Sequence, residues 1–159
     1  MTGWREEIGP PECPLMHRWT LVKCRFGKVL VHHFSPGADD LAVHDHPSSF
    51  ITIVLRGSYD DLVRCPRCGG EEHAFPDDAP CGCDGGLVLG DRMRPGSIRF
   101  RRASHAHRTP VGPKGCWTLV LMGPKRRDWG FWRRGVWWEY RQHERRFGFG
   151  WRCPDKEGS

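Results

Sequence analysis

The sequence predicts an all-β fold, either a sandwich or a barrel, and three observations favour it. Short apolar and β-branched segments such as FITIVLR (50–56) and CWTLVLMG (116–123) follow one another along the chain. Glycine and proline separate these segments, and helical periodicity is missing before residue 139. Short strands at regular spacing, with turn residues between them, are typical of antiparallel sandwiches and barrels.

The first elements along the chain are an irregular arm and a hairpin. Residues 1–18 contain three prolines, which favour an irregular N-terminal arm. The segments WTLVKCR (19–25) and KVLVHHF (28–34) follow, with Phe26-Gly27 between them. Two such runs around a short glycine-containing turn predict a β-hairpin.

Strands continue through the middle of the chain, and a helical segment comes near its end. FITIVLR (50–56) and SYDDLVR (58–64) predict two strands on either side of Gly57. The strand pattern resumes in LVLG (87–90), GSIRFRRA (96–103), CWTLVLMG (116–123) and WGFW (129–132). EYRQHERRFG (139–148) predicts two short helical turns.

Composition limits the classes of function. The chain of 159 residues fits a single domain. It has no uncharged apolar run of about 18 residues or more, the length of a transmembrane helix, and no secretion-signal pattern. We therefore expect a cytoplasmic protein without a membrane partner. The net charge of +6 comes mostly from 92–108 and 125–146, which we interpret as solvated surface, with nucleic-acid binding as the less favoured alternative.

Four of the eight cysteines lie in one irregular segment at residues 65–86. CPRC (65–68) is a good zinc half-site, because a tight turn brings two thiolates to one ion, and CGC (81–83) supplies a second pair. Four thiolates leave no open coordination position, so the predicted Zn(II) is structural. Its ligands are Cys65, Cys68, Cys81 and Cys83, and His73 could replace one of them. A redox-active CxxC is the alternative, although no thioredoxin-like pattern surrounds it. We expect Cys13, Cys24, Cys116 and Cys153 to be ordinary thiols.

A pair of histidines precedes the apolar run ITIVL. His44 and His46 are two residues apart, so on an extended strand their side chains point to the same face. Two imidazoles on one face make half of a metal site. A third ligand has to come from another strand.

This pair opens a resemblance to the cupin superfamily. His44-Asp-His46, the strand after it and Leu55-Arg56-Gly57 resemble the first cupin motif. The segment from Arg94 to His107, with Gly96 at its turn, resembles the second. The resemblance implies a double-stranded β-helix, a cupin or jelly-roll barrel. The expected parts are the irregular arm (1–18), the barrel (19–140), into which the zinc-stapled loop (65–86) is inserted, and a C-terminal tail (141–159).

The resemblance also implies a metal site formed by His44, His46 and His107. The common cupin pattern has a glutamate where this chain has Phe50, and three histidines without a carboxylate resemble the site of thiol dioxygenases. Such a set suits Fe(II) or another divalent transition metal and leaves open positions for substrate. His105 is the rival third ligand, since a register change of one residue would turn it inward.

The function implied is that of an Fe(II) oxygenase acting on a small or peptidyl substrate. Tyr59 and His105 are the candidate catalytic residues, because either could steer protons. Thiol dioxygenases also hold a substrate carboxylate with a tyrosine and an arginine. Tyr140, Arg25, Arg56, Arg99 and Arg101 are the residues of these types that we considered for that role. Ile51 occupies the position of the cysteine found in modified members of that family, so equivalence to cysteine dioxygenase is not expected.

Two other classes of function remain open. One is a non-catalytic cupin shell that binds a ligand, protein or nucleic acid through the Arg- and Trp-rich C-terminal third. The other is a Zn(II)- or Mn(II)-dependent isomerase, epimerase or hydrolase. A homodimer paired through a sheet edge is a further expectation from the resemblance.

Overall fold

A computed structural model describes residues 4–40, 42–68, 86–133 and 135–148 of the protein. Within these ranges eleven strands form one sheet, and each strand pairing is antiparallel. The helix found in the same ranges follows the last strand. It is too short to cross a membrane, and the described residues include no other helix that could. The all-β prediction is confirmed.

The strands and the helix have the following bounds. They are β1 (Arg5–Ile8), β2 (Met16–Cys24), β3 (Gly27–Phe34), β4 (Val43–His44), β5 (Phe50–Arg64), β6 (Leu87–Met93), β7 (Ile98–Arg101), β8 (His107–Arg108), β9 (Val111–Met122), β10 (Gly130–Arg133), β11 (Val136–Glu139) and α1 (Tyr140–Phe147). The strand order is β1-β2-β3-β9-β5-β8-β4-β10-β11, and β6 and β7 also pair with β5. This is the double-stranded β-helix that the resemblance implies.

The interior of the barrel follows from the alternation of side chains along the strands. In β3 the buried residues are Leu30 and His32, and in β5 Phe50, Thr52 and Val54 are buried in turn. Successive side chains of a strand point to opposite faces, so these residues line one face of the sheet. The predicted hairpin is confirmed, because β2 and β3 pair around a two-residue turn.

The N-terminal region and the first long strand differ from expectation. Within the predicted irregular arm, residues 5–8 form β1, which pairs with β2, and β2 already begins at Met16. β1 is an exposed edge strand rich in charge, so no apolar alternation marks it in the sequence. The two strands predicted around Gly57 are one strand, β5, whose register shifts near Gly57 instead of ending there.

Gly57 is required by its surroundings. It has φ of 77°, and a Cβ built on it would lie 1.9 Å from the carbonyl oxygen of Gly115. Residues with a side chain rarely adopt such a φ, and a backbone atom cannot move away easily. Gly96 has a similar φ of 85° at the turn before β7, but its Cβ would meet nothing within 4 Å.

The cysteine loop leaves the barrel between β5 and β6. The amide of Cys65 donates to the carbonyl of Gly86 at 2.8 Å, which brings the two ends of the loop together. Cys65 and Cys68 belong to the described residues, whereas His73, Cys81 and Cys83 lie outside them. The structural zinc therefore stays a prediction.

Cys13 is disulfide-bonded, so the expectation of an ordinary thiol there is wrong.

Candidate metal centre

Two very short strands bring the predicted metal ligands together. β4 and β8 pair through one register position, at which His44 faces His107. His46 lies just beyond β4, and its Nε2 is 2.8 Å from Nε2 of His107. The three rings have centroid separations of 4.9 to 5.0 Å. Their ligand atoms lie within 4.8 Å of one another, so these three histidines could hold a metal ion.

Carboxylates orient two of these imidazoles. Nδ1 of His107 is 2.7 Å from Oδ1 of Asp61. Nδ1 of His44 is 2.9 Å from Oδ2 of Asp40, a close ionic contact that falls outside hydrogen-bond geometry. Histidines that bind metals commonly give their second ring nitrogen to a carboxylate, which fixes the ring orientation. In both residues Nε2 is the nitrogen left for a ligand.

Asp61 is buried at the centre of a charged network. It contacts Arg101, and both of its oxygens are 3.2 Å from Nε2 of His105. Burial would raise the pKa of the Asp61 carboxyl. Hydrogen bonds to His105 and His107 outweigh burial and hold this pKa well below its usual range. Asp61 is therefore ionised beneath His107.

Burial favours the neutral form of all three histidines, and it prevails at two of them. Burial, and then the neighbouring His107, hold the pKa of His46 well below its usual value. Burial also lowers the pKa of His107, against the raising effect of Asp61. At His44 burial is outweighed by Asp40, and the pKa is raised. Neutral imidazole is the form that binds metals, and His46 and His107 are held in it.

Two neighbours of the histidine pair have different roles. Phe50, at the position of the common cupin glutamate, is buried with its ring centroid 4.5 Å from that of His46. Asp45, between His44 and His46, points away from them. It accepts hydrogen bonds from the Gly130 amide at 2.8 Å and from Trp137 Nε1 at 3.1 Å. Asp45 thus connects the histidine segment to β10 and β11.

The predicted proton-steering residues lie in different places. Tyr59 is buried and lines the cavity that contains the three histidines. Burial raises the pKa of its hydroxyl, which is therefore protonated at neutral pH. His105 is hydrogen-bonded to Asp61 behind His107 and does not line this cavity. Asp61, His105 and His107 form a second group that could hold a metal, but Asp61 already forms an ion pair with Arg101.

The cavity has a volume of about 520 Å³, a size suited to a small molecule. Aromatic side chains form much of the lining, and they belong to Phe50, Trp129, Phe131 and Tyr140. The ring of Tyr140 stacks on that of Trp129 at 4.9 Å. α1 contributes His143 and Glu144 to the lining.

Sequence reasoning missed three residues of this region. Asp40 and Asp61 were not singled out, although Asp61 lies two residues after Tyr59 on one strand, and that spacing could have indicated a shared face. None of the four arginines that we considered lines the cavity. Arg18 does, and no pattern in the sequence distinguishes it.

Comparisons with known proteins show a likeness of fold. No family model matches the chain, and no curated protein sequence matches it significantly. The structure of KdgF from Halomonas sp. matches with a TM-score of 0.50 and 15% identity, over 77% of this chain and 88% of that one. An RmlC-like cupin from Shewanella frigidimarina has a TM-score of 0.49, with 20% identity over 77% and 84%. A Klebsiella pneumoniae protein with a double-stranded β-helix domain has 0.49, with 16% identity over 74% and 84%.

Proposed function

We propose that this chain, which has the fold of the cupins, is a metal-dependent enzyme acting on a small molecule inside its barrel, and that its metal is Fe(II) used for oxygenase chemistry. One observation carries the proposal. His44, His46 and His107 converge at the wall of a cavity of about 520 Å³, and carboxylates orient two of them. A structural site would need a fourth ligand and would have no use for an adjoining cavity.

The residues present fit a divalent metal. Three imidazole nitrogens suit Fe(II), Zn(II), Ni(II) and Cu(II), and three ligands leave positions for substrate. A bound metal would supply a Lewis acid at the cavity wall, and Fe(II) would add redox chemistry with dioxygen. Asp61 and Asp40 would keep His107 and His44 in the tautomer that binds through Nε2.

Other side chains of this chain would prepare the substrate. Tyr59, protonated because it is buried, would donate a hydrogen bond or a proton to a bound molecule. His105 would act through Asp61 on the orientation of His107, which makes it a positioning residue. The aromatic wall would exclude water.

The position of Arg18 supports the proposal that the substrate carries a carboxylate. It lines the cavity, its Nε donates to Nε2 of His32 at 3.2 Å, and its Nη1 lies 3.6 Å from a Glu6 oxygen. The strand pairing places Arg18 opposite His32, on the inner face of the sheet. Burial and the charge of Arg18 lower the pKa of His32 to about 3, so His32 is a neutral acceptor. We assign to Arg18 the carboxylate-binding role that the resemblance implies.

We also propose that the loop is held by Zn(II) on Cys65, Cys68, Cys81 and Cys83. The hydrogen bond from Cys65 to Gly86 supports this, because it places the first of these cysteines at the base of the loop. The loop would fold around its metal, as small metal-stapled segments do.

Elemental analysis of the protein, purified without added metal or chelator, tests these assignments. We expect one equivalent of zinc and one of iron per chain, and oxygen consumption when a matching substrate is supplied. His107→Ala should lose the iron and keep the zinc. Zinc alone, with no uptake of Fe(II) under anaerobic conditions, would contradict the proposed enzymatic function and favour a non-catalytic cupin shell that binds a ligand. Zn(II) or Mn(II) at the histidines without oxygen consumption would favour an isomerase, epimerase or hydrolase.

A further inference from the structure

We propose that His143, on the C-terminal helix α1, is a substrate-contacting residue whose imidazole hydrogen-bonds an uncharged polar group, a hydroxyl or an amide, of the molecule in the cavity. The inference deepens the proposed function and rests on it, since the molecule is the same one that would reach the histidine centre. It assigns a role in the site to a residue outside both cupin motifs.

Within the described part of the chain, the side chain of His143 has no polar partner. Its exposure is 1%, and neither Nδ1 nor Nε2 has a hydrogen-bond partner among the described residues. Its ring lies instead between two aromatic rings, 4.4 Å from Phe131 and 5.1 Å from Phe147. Buried imidazole nitrogens are normally hydrogen-bonded, because an unpaired buried polar atom reduces stability. A leucine or phenylalanine would fill this aromatic position without that cost.

The cavity offers a partner that the described residues do not provide. His143 lines the same cavity as the three metal-site histidines. Phe131 stands between His143 and His44, and the ring centroids of Phe131 and His44 are 6.0 Å apart. The buried Oγ1 of Thr118 also lacks a partner among the described residues and lines this cavity from β9. Two residues that line one cavity from different elements thus carry buried polar atoms with no partner among the described residues, which favours a ligand with polar groups at more than one end.

The charged residues near His143 indicate which chemical group of a ligand it would bind. Burial, and then Arg133, lower the pKa of His143, so the ring is neutral and offers one donor and one acceptor. Glu144, the next residue of the helix, also lines the cavity and disfavours a second anion nearby. A hydroxyl or an amide both donates and accepts, so it matches a neutral imidazole.

The test uses acetamide as a polar probe and xenon as an apolar one, with protein as purified and with ¹⁵N-labelled histidine. We expect acetamide to shift the ring ¹⁵N signals of His143 in a saturable way. In His143→Phe the affinity for acetamide should fall about tenfold, the size of one lost hydrogen bond of about 1.4 kcal/mol. Xenon binding should persist. His143→Phe should also melt at a higher temperature than the wild type, because it removes a buried polar group that is unpaired among the described residues.

Matched variants separate this role from a structural one. His143→Gln, which keeps a donor and an acceptor, should retain acetamide binding within a few fold. His33→Phe should bind as the wild type does, because His33 stacks on Trp117 and does not line the cavity. If His143→Phe does not fold, His143→Leu and His143→Gln provide the same comparison.

Two outcomes would overturn the inference. One is an unchanged His143 signal at saturating acetamide. The other is a His143→Phe protein that is less stable than the wild type and binds acetamide equally well. Elemental analysis of the titrated wild-type protein keeps the two proposals apart. A silent His143 in wild-type protein that holds its second metal ends only this inference, and a responsive His143 in wild-type protein that takes up no second metal ends only the oxygenase.

Discussion

A single buried carboxylate, Asp61, connects most of the candidate centre. It accepts from His107 and His105 and contacts Arg101, while its neighbour in sequence, Asp60, pairs with Arg92 at the surface. Adjacent residues of one strand point to opposite faces, so the two aspartates provide a natural comparison. Only the inward one touches a proposed metal ligand.

Asp61→Asn should weaken metal binding at the histidines by about 10- to 100-fold, the usual effect of removing the partner of a metal-binding histidine. The asparagine amide carries no negative charge to attract the Nδ1 proton of His107. Its NH2 group can also donate to Nδ1, which would favour the tautomer whose proton sits on Nε2. Competition with a chelator of known affinity measures the change. Asp60→Asn should bind as tightly as the wild type, and equal affinities for both variants would contradict the role of Asp61.

His32 should make the stability of the fold depend on pH. Its pKa is about 3 in the folded protein, against 6.5 for an unperturbed histidine, so the unfolded chain binds more protons between these values. This contribution is fully present above pH 6.5 and is lost as the pH falls towards 3. At pH 5 the loss amounts to about 2 kcal/mol.

Urea unfolding at pH 7.5 and pH 5 measures this loss. His32→Gln keeps an acceptor for Arg18 and does not titrate, so its stability should fall by about 2 kcal/mol less than that of the wild type between these pH values. An equal fall in both proteins would show that His32 is not held neutral.

The site residues that the sequence predicts are those with a local pattern. His44 and His46 share a face because they are two residues apart, and the resemblance to the second cupin motif, counted from Gly96, implies His107. Asp40 and Arg18 have no such pattern, since each acquires its role from a partner on another element. Long-range pairing of polar residues depends on strand order, which a single sequence shows only indirectly.

At the scale of elements, β5 is the central strand of the barrel. It has 15 residues and pairs with β6, β7, β8 and β9 along its length. A glycine usually indicates a turn, and for this reason the sequence predicts two strands here. Gly57 instead allows the strand to shift register beside the backbone of Gly115.

Replacing the two motif glycines by alanine should have unequal effects. Gly96→Ala meets only the strain of a positive φ, which costs about 1–2 kcal/mol. Gly57→Ala has the same strain and also collides with a carbonyl oxygen, so we expect a loss of at least about 3 kcal/mol in the free energy of unfolding. Chemical denaturation compares the two variants, and equal losses would contradict the close approach seen at Gly57.

Elements with an apolar alternation are predicted well, and edge elements are not. β3 alternates between buried and partly exposed side chains, and its hairpin with β2 is recognisable from the sequence. β1 and β11 pair through their backbones while their side chains remain mostly exposed or half-buried. Such strands carry little of the pattern on which sequence reasoning depends.

At the scale of the whole molecule, metal binding should stabilise the fold. The proposed ligands come from segments 61 residues apart, as the contact between His46 and His107 shows. A ligand that binds only the folded chain adds about 2.7 kcal/mol at 100 times its dissociation constant. Anaerobic Fe(II) should therefore raise the melting temperature of the wild type and of His33→Ala, and leave that of His107→Ala unchanged. Calorimetry measures the three shifts, and an equal shift in His107→Ala would place the iron elsewhere.

The junction between β8 and β4 has a consequence for how the molecule opens. One register pair, His44 with His107, joins these strands, and in the described chain β10 and β11 reach the rest of the sheet through β4. The wall that carries Phe131 is thus attached through a pair of residues that are both proposed metal ligands. An ion bound to both residues would hold this wall in place. The residence time of that ion would limit how fast β10 and β11 exchange their amide hydrogens or are cleaved by a protease.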